Sequence, residues 1–166
     1  MQTIKNTTPP LPISWEECKS RGWSYIDVLL VTGDAYIDHP SFGIALIGRL
    51  LESHGYKVAL LCQPRFDTSS DFSSYPAPRL FCGITAGNLD SIVANYTGNG
   101  KVRKSDSYSP DGNPWRGGNK DKKERRRPDR ASLIYTSLAR SVYGKTPIVL
   151  GGIEGSLRRF VHFDYK

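Results

Sequence analysis

A chain of 166 residues suits one domain, and a chain of this length buries about 70% of its unfolded surface without cross-links. Its three scattered cysteines, Cys18, Cys62 and Cys82, argue against a disulfide framework, and none pairs with another at C-x-x-C spacing, so a reducing compartment is expected. No run reaches the roughly 18 apolar residues of a membrane span. Met1 to Leu11 lacks the apolar centre of a secretory signal, so a cytoplasmic protein is expected.

The formal net charge is +7, and residues 101–130 hold 11 basic against 5 acidic side chains. The rest of the chain is therefore nearly neutral, and one segment carries the basicity.

Residues 1–20 read as an N-terminal arm with a short helix over Trp15 to Lys19. Ser14 is its expected cap, with Glu17 completing a capping box. Ile26 to Val31 is an apolar run without polar alternation, the pattern of a strand covered on both faces. Ser41 to His54 is a helix, with Phe42, Ala45, Leu46, Leu50 and Ile47 spaced as its buried stripe and Gly55 ending it. Tyr56 to Cys62 is a second strand. Asp67 to Pro78 leaves room for a helical turn. Leu80 to Thr85 is a third strand, and Ala86 to Tyr96 a helix with Leu89, Ile92 and Val93 on one face.

Residues 98–128 hold few aliphatic side chains, so composition predicts a long, mobile and mostly exposed basic loop over 98–130. Asp129 is the expected cap of a helix over Arg130 to Tyr143, closed by Gly144. Pro147 to Gly151 is a fourth strand, and Glu154 to His162 opens a last helix. Alternating strands and helices imply an α/β, Rossmann-like doubly wound parallel sheet, with 2-1-3-4 as the simplest strand order. Residues 21–166 would form this domain.

Several ordered words then stand out: VTGDAYIDHPSFG from Val31, GITAGNLDS from Gly83, YSP from Tyr108, RPDRA from Arg127 and VLGGIEGSLRR from Val149. On these words the chain resembles the N-terminal part of YgiQ-type radical SAM proteins. The resemblance spans residues 22–166 and implies a Rossmann-like domain, similar to cobalamin-binding domains, followed by a radical SAM barrel. In that family a CxxxCxxC motif of the barrel ligates a [4Fe–4S] cluster that binds and cleaves S-adenosylmethionine. The substrate is not implied. This sequence contains no CxxxCxxC, so no cluster ligand carries over, and the chain reads as the front domain of a longer enzyme or a fragment of one. Cobalamin is not inferable. Asp38 and His39 are adjacent and Gly43 lies four residues on, which does not match D-x-H-x-x-G.

Strand-end loops of an open α/β sheet converge on one edge. This places Asp34, Asp38, His39, Asn88, Asp90, Gly151, Gly152, Glu154, Arg158 and Arg159 on a rim for a ligand or for a docked domain. Each also has a structural reading. Asp34 and Asp38-His39-Pro40 suit turns and helix caps, Asn88 and Asp90 suit capping, and Glu154 suits a first helical turn. Gly33 alone is not G-x-G-x-x-G. Lys122, Lys123, Arg125, Arg126 and Arg127, with Tyr108 and Trp115 nearby, suit an alternative partner, nucleic acid, through phosphate neutralisation and base stacking. Their structural reading, which one charge cluster does not displace, is a solvated, flexible loop or a docking segment for the absent barrel.

Overall fold

The computed structural model describes residues 8–117 and 124–160, with side chains through residue 157. Its strands are β1 (Val28–Thr32), β2 (Val58–Cys62), β3 (Phe81–Thr85) and β4 (Ile148–Leu150). They form one sheet in the order β2-β1-β3-β4, and every pairing is parallel. The α/β, doubly wound class and the strand order read from the sequence both hold.

All five residues of β1 are buried, because helices cover this central strand on both sides. Leu29 and Val31 face one cluster, which gathers Cys82 and Ile84 of β3 with Phe72, Ala131, Tyr135 and Ala139. Those partners come from α3 (Ser70–Ser73) and α5 (Ala131–Tyr143). Tyr135, Ala139 and Tyr143 recur every four residues and are buried, the stripe a helix needs to lie on a sheet. Val28 and Leu30 face the other side, with Val58, Leu60, Ile44 of α2 (Gly43–Ser53) and Leu11 from the chain's start. Leu60 donates its N–H to the Pro12 carbonyl at 2.8 Å, so the arm covers the outer edge of β2.

Several local expectations are corrected. The buried face of α2 is Ile44, Ala45 and Gly48, while Leu46, Ile47 and Leu50 are exposed. The Leu-rich stripe was the wrong one because a glycine and an alanine give the closest approach to the sheet. The helix expected over 86–96 shrinks to α4 (Ser91–Asn95), with Val93 exposed. In α1 (Trp15–Ser20) the Ser14 hydroxyl accepts from the Glu17 N–H, but Glu17 reaches back one residue further than a capping box requires and accepts from the Ile13 N–H at 2.9 Å. The cap position of α5 is Arg130, in a left-handed conformation, not Asp129. The Asp129 carboxylate instead accepts from the Asn95 amide at 2.9 Å and the Tyr96 hydroxyl at 2.7 Å. A last helix, α6 (Gly152–Phe160), starts two residues earlier than expected.

Candidate functional site: a buried ion network beside an apolar groove

The carboxyl ends of β1, β3 and β4 open onto one edge. At its centre Asp34 is only 2% exposed. Its Oδ1 accepts from Arg127 Nη2 at 2.6 Å, and its Oδ2 accepts from the Asn88 N–H at 2.7 Å. The loop after β1 is thereby tied both to the loop after β3 and to the basic excursion. Two glycines permit this. A Cβ on Gly33 would stand 2.2 Å from the Ala86 carbonyl oxygen. Gly87 has φ +117°, and a Cβ there would lie 2.1 Å from Asp34 Oδ1. Asp34 fits only because neither neighbour has a side chain.

Arg127, 1% exposed, uses its other nitrogen, Nη1, to donate to Asp106 Oδ2 at 2.8 Å. Ser109 Oγ donates to the same oxygen at 2.8 Å, and Gln63 Nε2 donates to Ser109 Oγ at 2.7 Å and to the Gly33 carbonyl at 3.0 Å. The cluster thus closes on itself through four segments distant in sequence. Burial pushes the Asp34 carboxyl above its ordinary value, while the Arg127 guanidinium and the Asn88 N–H pull it down.

Glu154 has a second structural task. Its Oε2 accepts from the Ser91 N–H at 2.7 Å and its Oε1 from the Ser132 N–H at 2.8 Å. One buried carboxylate therefore caps the first turns of α4 and α5, satisfying orphan donors that would otherwise be buried unpaired. Asp90 caps α4 in the ordinary way, its side chain accepting from the Ile92 and Val93 N–H groups.

The remaining rim residues divide. Gly151, Gly152, Asn88 and Asp34 line one groove. Asp38 pairs instead with Arg49 on the outer side of α2, and this guanidinium holds its carboxyl below the usual carboxylate value. His39 Nδ1 accepts from the Ser41 N–H at 3.1 Å. The Ser41 carbonyl in turn accepts from Asn88 Nδ2 at 3.3 Å, which joins this loop to the rim. Arg158 and Arg159 lie in α6, and their side chains are outside the described residues.

The expectation of an exposed basic loop holds over 98–105 and is corrected at Asp106, Ser109, Pro114, Trp115, Arg125, Arg127 and Pro128, which are buried. Arg125 and Arg127 are buried, because each guanidinium has partners inside the domain. The Arg125 guanidinium lies 5.1 Å from the Tyr96 ring and 5.3 Å from the Trp115 ring, with Asp129 at 3.3 Å. Trp115 is itself buried, and Tyr108 packs edge-on against Phe42. Arg126 Nε donates to the Asn113 carbonyl. These side chains are engaged internally rather than presented to phosphates or bases. Lys122 and Lys123 lie outside the described residues.

The groove occupies about 350 Å³ on the Leu30 side of the sheet. Leu30, Phe81, Gly83 and Val149 form its floor, Ile44, Ile47 and Leu51 of α2 one wall, and Thr85, Gly87, Asn88 and Gly152 its polar end. Sequence reasoning missed it, and it also missed the pairing of Arg127 with Asp34. The available signal was the long apolar surplus of α2, too many large side chains for one buried face.

The residues present do not fit an iron–sulfur cluster. Such clusters are held by several thiolates around one site. Cys18 and Cys82 are each buried in the apolar core. Burial pushes the thiol of Cys18 up to about 11 and those of Cys62 and Cys82 up to about 12. Among the described residues no group of three or more His, Cys, Asp or Glu side chains could hold a metal ion, and no helix is long and apolar enough to cross a membrane.

Fold and site together define a class: a doubly wound parallel α/β domain whose strand-end loops are locked by a buried ion network, with an open apolar groove beside them. The chain belongs to the radical SAM N-terminal family, whose model matches residues 10–166. It is 53% identical over 155 residues to a UPF0313 protein of Thermotoga petrophila, covering 93% of this chain and 26% of that protein. A UPF0313 protein of Vibrio vulnificus is 49% identical over 159 residues, covering 96% of this chain and 19% of its own length. One from Pseudomonas syringae is 48% identical over 157 residues. The chain thus spans about a quarter or less of these curated relatives. No solved structure matches it.

Proposed function

We propose that this chain is the N-terminal accessory domain of a radical SAM enzyme of [4Fe–4S] type. In this reading it packs against the catalytic barrel of the longer protein and contributes its strand-end rim to the binding of substrate or cofactor. The observation that carries the reading is the match itself, a family of radical SAM N-terminal domains covering residues 10–166, in relatives about four times as long. The rim adds to it. Asp34, Asn88, Gly151 and Gly152 meet at the groove's polar end, where open α/β sheets receive their ligands.

Cluster ligation and cleavage of S-adenosylmethionine belong, on this reading, to the barrel, and the present chain performs no radical chemistry alone. Its own residues hold the rim in one geometry and supply the surface that meets the rest. The test is anaerobic reconstitution with iron and sulfide of this chain and of the intact Thermotoga petrophila relative, followed by iron analysis and detection of 5′-deoxyadenosine. The relative is expected to hold a cluster and release 5′-deoxyadenosine on reduction, and this chain to do neither. Stoichiometric iron on this chain, or none on the relative, overturns the reading.

A further inference from the structure

Among the described residues, one half of one sheet face is bare. Strands lie about 4.8 Å apart and a helix with its side chains is about 10 Å across, so one helix covers about two strands. A four-stranded sheet therefore takes two helices on each face. On the side of Leu29 and Ile84, α3 and α5 meet that need. On the side of Leu30, α2 packs on β1 and β2, α6 meets β3 where Gly152 approaches Thr85, and the rest of β3 and β4 is left as the groove floor among the described residues. Val149, at the centre of β4, is 51% exposed, and Ile47 and Ile153 beside it are equally open.

The described elements cannot fill this slot. The arm is committed to the far edge, at β2. The first turn of α6 is held by Glu154 against the ends of α4 and α5. Adding a strand beyond β4 does not close it either. The crossover from β3 to β4 runs through α5 on the opposite face, and a further outward step of the same right hand uses that face again.

We infer that the slot seats an amphipathic helix from the additional region of the relatives, and that by this face the domain meets that region. The inference rests on the accessory-domain reading. The chemistry selects the occupant. Among the described residues the groove's floor and α2 wall are apolar, its polar atoms are confined to one end, and its single charged lining residue, Asp34, is already paired with Arg127. A phosphate or a basic segment finds no counter-charge there, whereas the apolar stripe of a helix finds a matching trough. The relatives carry most of their length outside the matched segment, so the helix is available on the same chain, at the high effective concentration that tethering confers. Exposed apolar patches of this kind mark interaction sites.

The test compares side-chain labelling by a photoactivated carbene in this chain and in the intact Thermotoga petrophila relative. The positions read are Ile47, Val149 and Ile153, with Leu133, exposed on the outer face of α5, as control. In the relative, the aligned groove positions are expected to label several-fold less than in this chain, because covered side chains are closed to the reagent, with the Leu133 position unchanged. Groove positions that label alike in both proteins, while other matched segments are protected, overturn the inference and leave the accessory reading standing. No protection anywhere in the matched segment overturns both. Protection in this chain alone that grows with its concentration shows a second copy in the groove, which also overturns the inference.

Discussion

Replacing Arg127 by Met removes the one cation shared by two buried carboxylates while keeping the length of the side chain. Side-chain exposures of Arg127, Asp34 and Asp106 are 1%, 3% and 5%, so water cannot stand in for the guanidinium. Breaking a buried pair by removing one partner costs about 3–5 kcal/mol. With a urea m-value of about 2 kcal/mol/M, Arg127→Met is expected to lower the unfolding midpoint by about 1.5–2.5 M at pH 7. The reference is Arg49→Met, which removes the partly exposed pair with Asp38 and should cost no more than about 1 kcal/mol. Tryptophan fluorescence follows both transitions.

The pH dependence gives an independent check. The folded-state pKa of Asp34 is already raised by burial, and loss of Arg127 raises it further. A carboxyl with a raised folded pKa penalises the fold above that pKa, and the penalty fades as pH falls and it protonates. The gap between Arg127→Met and wild type should therefore narrow towards pH 4. A midpoint within about 0.5 M of Arg49→Met, or a gap that does not narrow in acid, refutes the claim that this network closes the excursion.

Gly87→Ala should lose at least about 2 kcal/mol by thermal melting, from a left-handed backbone and a displaced Asp34 carboxylate. Gly98→Ala, which meets nothing within 4 Å, should stay within about 0.5 kcal/mol, and equal losses for the two would contradict the geometry. Glu154→Ala strands two buried N–H donors at about 1–3 kcal/mol each, and Glu154→Gln should be milder in urea unfolding because an amide oxygen still caps one helix. The thiols of Cys18, Cys62 and Cys82, pushed up to about 11, 12 and 12 by burial, should resist iodoacetamide at pH 8 and react after unfolding. Rapid native labelling of Cys82, read by mass spectrometry, would show that strand β3 is not sealed.

The strands were legible because each is a short apolar run bounded by polar or glycine-rich chain, and such runs have few alternatives in a parallel sheet. The place of the loop after β1 on the rim was legible because Asp34 follows an unbroken buried strand. Its partner was not. Arg127 sits 93 residues away in a segment whose composition reads as solvated, and composition averages over residues that behave oppositely. Arg125 and Arg127 turn inward because carboxylates and aromatic rings from elsewhere in the fold await them. Glu154 was read as a first-turn acid of its own helix because sequence shows only the local helix, whereas its oxygens serve two others. The groove escaped notice for a related reason. Leu46 and Leu50 satisfy the helical period as well as Ile44 and Gly48 do, and only the sheet's geometry decides which stripe faces it.

Glu154 also bears on how strain travels through this domain. Its two oxygens grip α4 and α5, and its backbone belongs to α6. A pull on α6 cannot be absorbed at one joint, because a rigid carboxylate cannot follow two anchors that separate. Either α4 and α5 shift together with α6, or both caps open and their helix ends fray. The carboxylate thus acts as a three-way pin, and displacement of α6 is transmitted to α5, whose first residue, Ala131, follows Arg127 after Pro128, Asp129 and Arg130. Motion imposed on the last helix would reach the ion network at the rim without any change in the sheet between them.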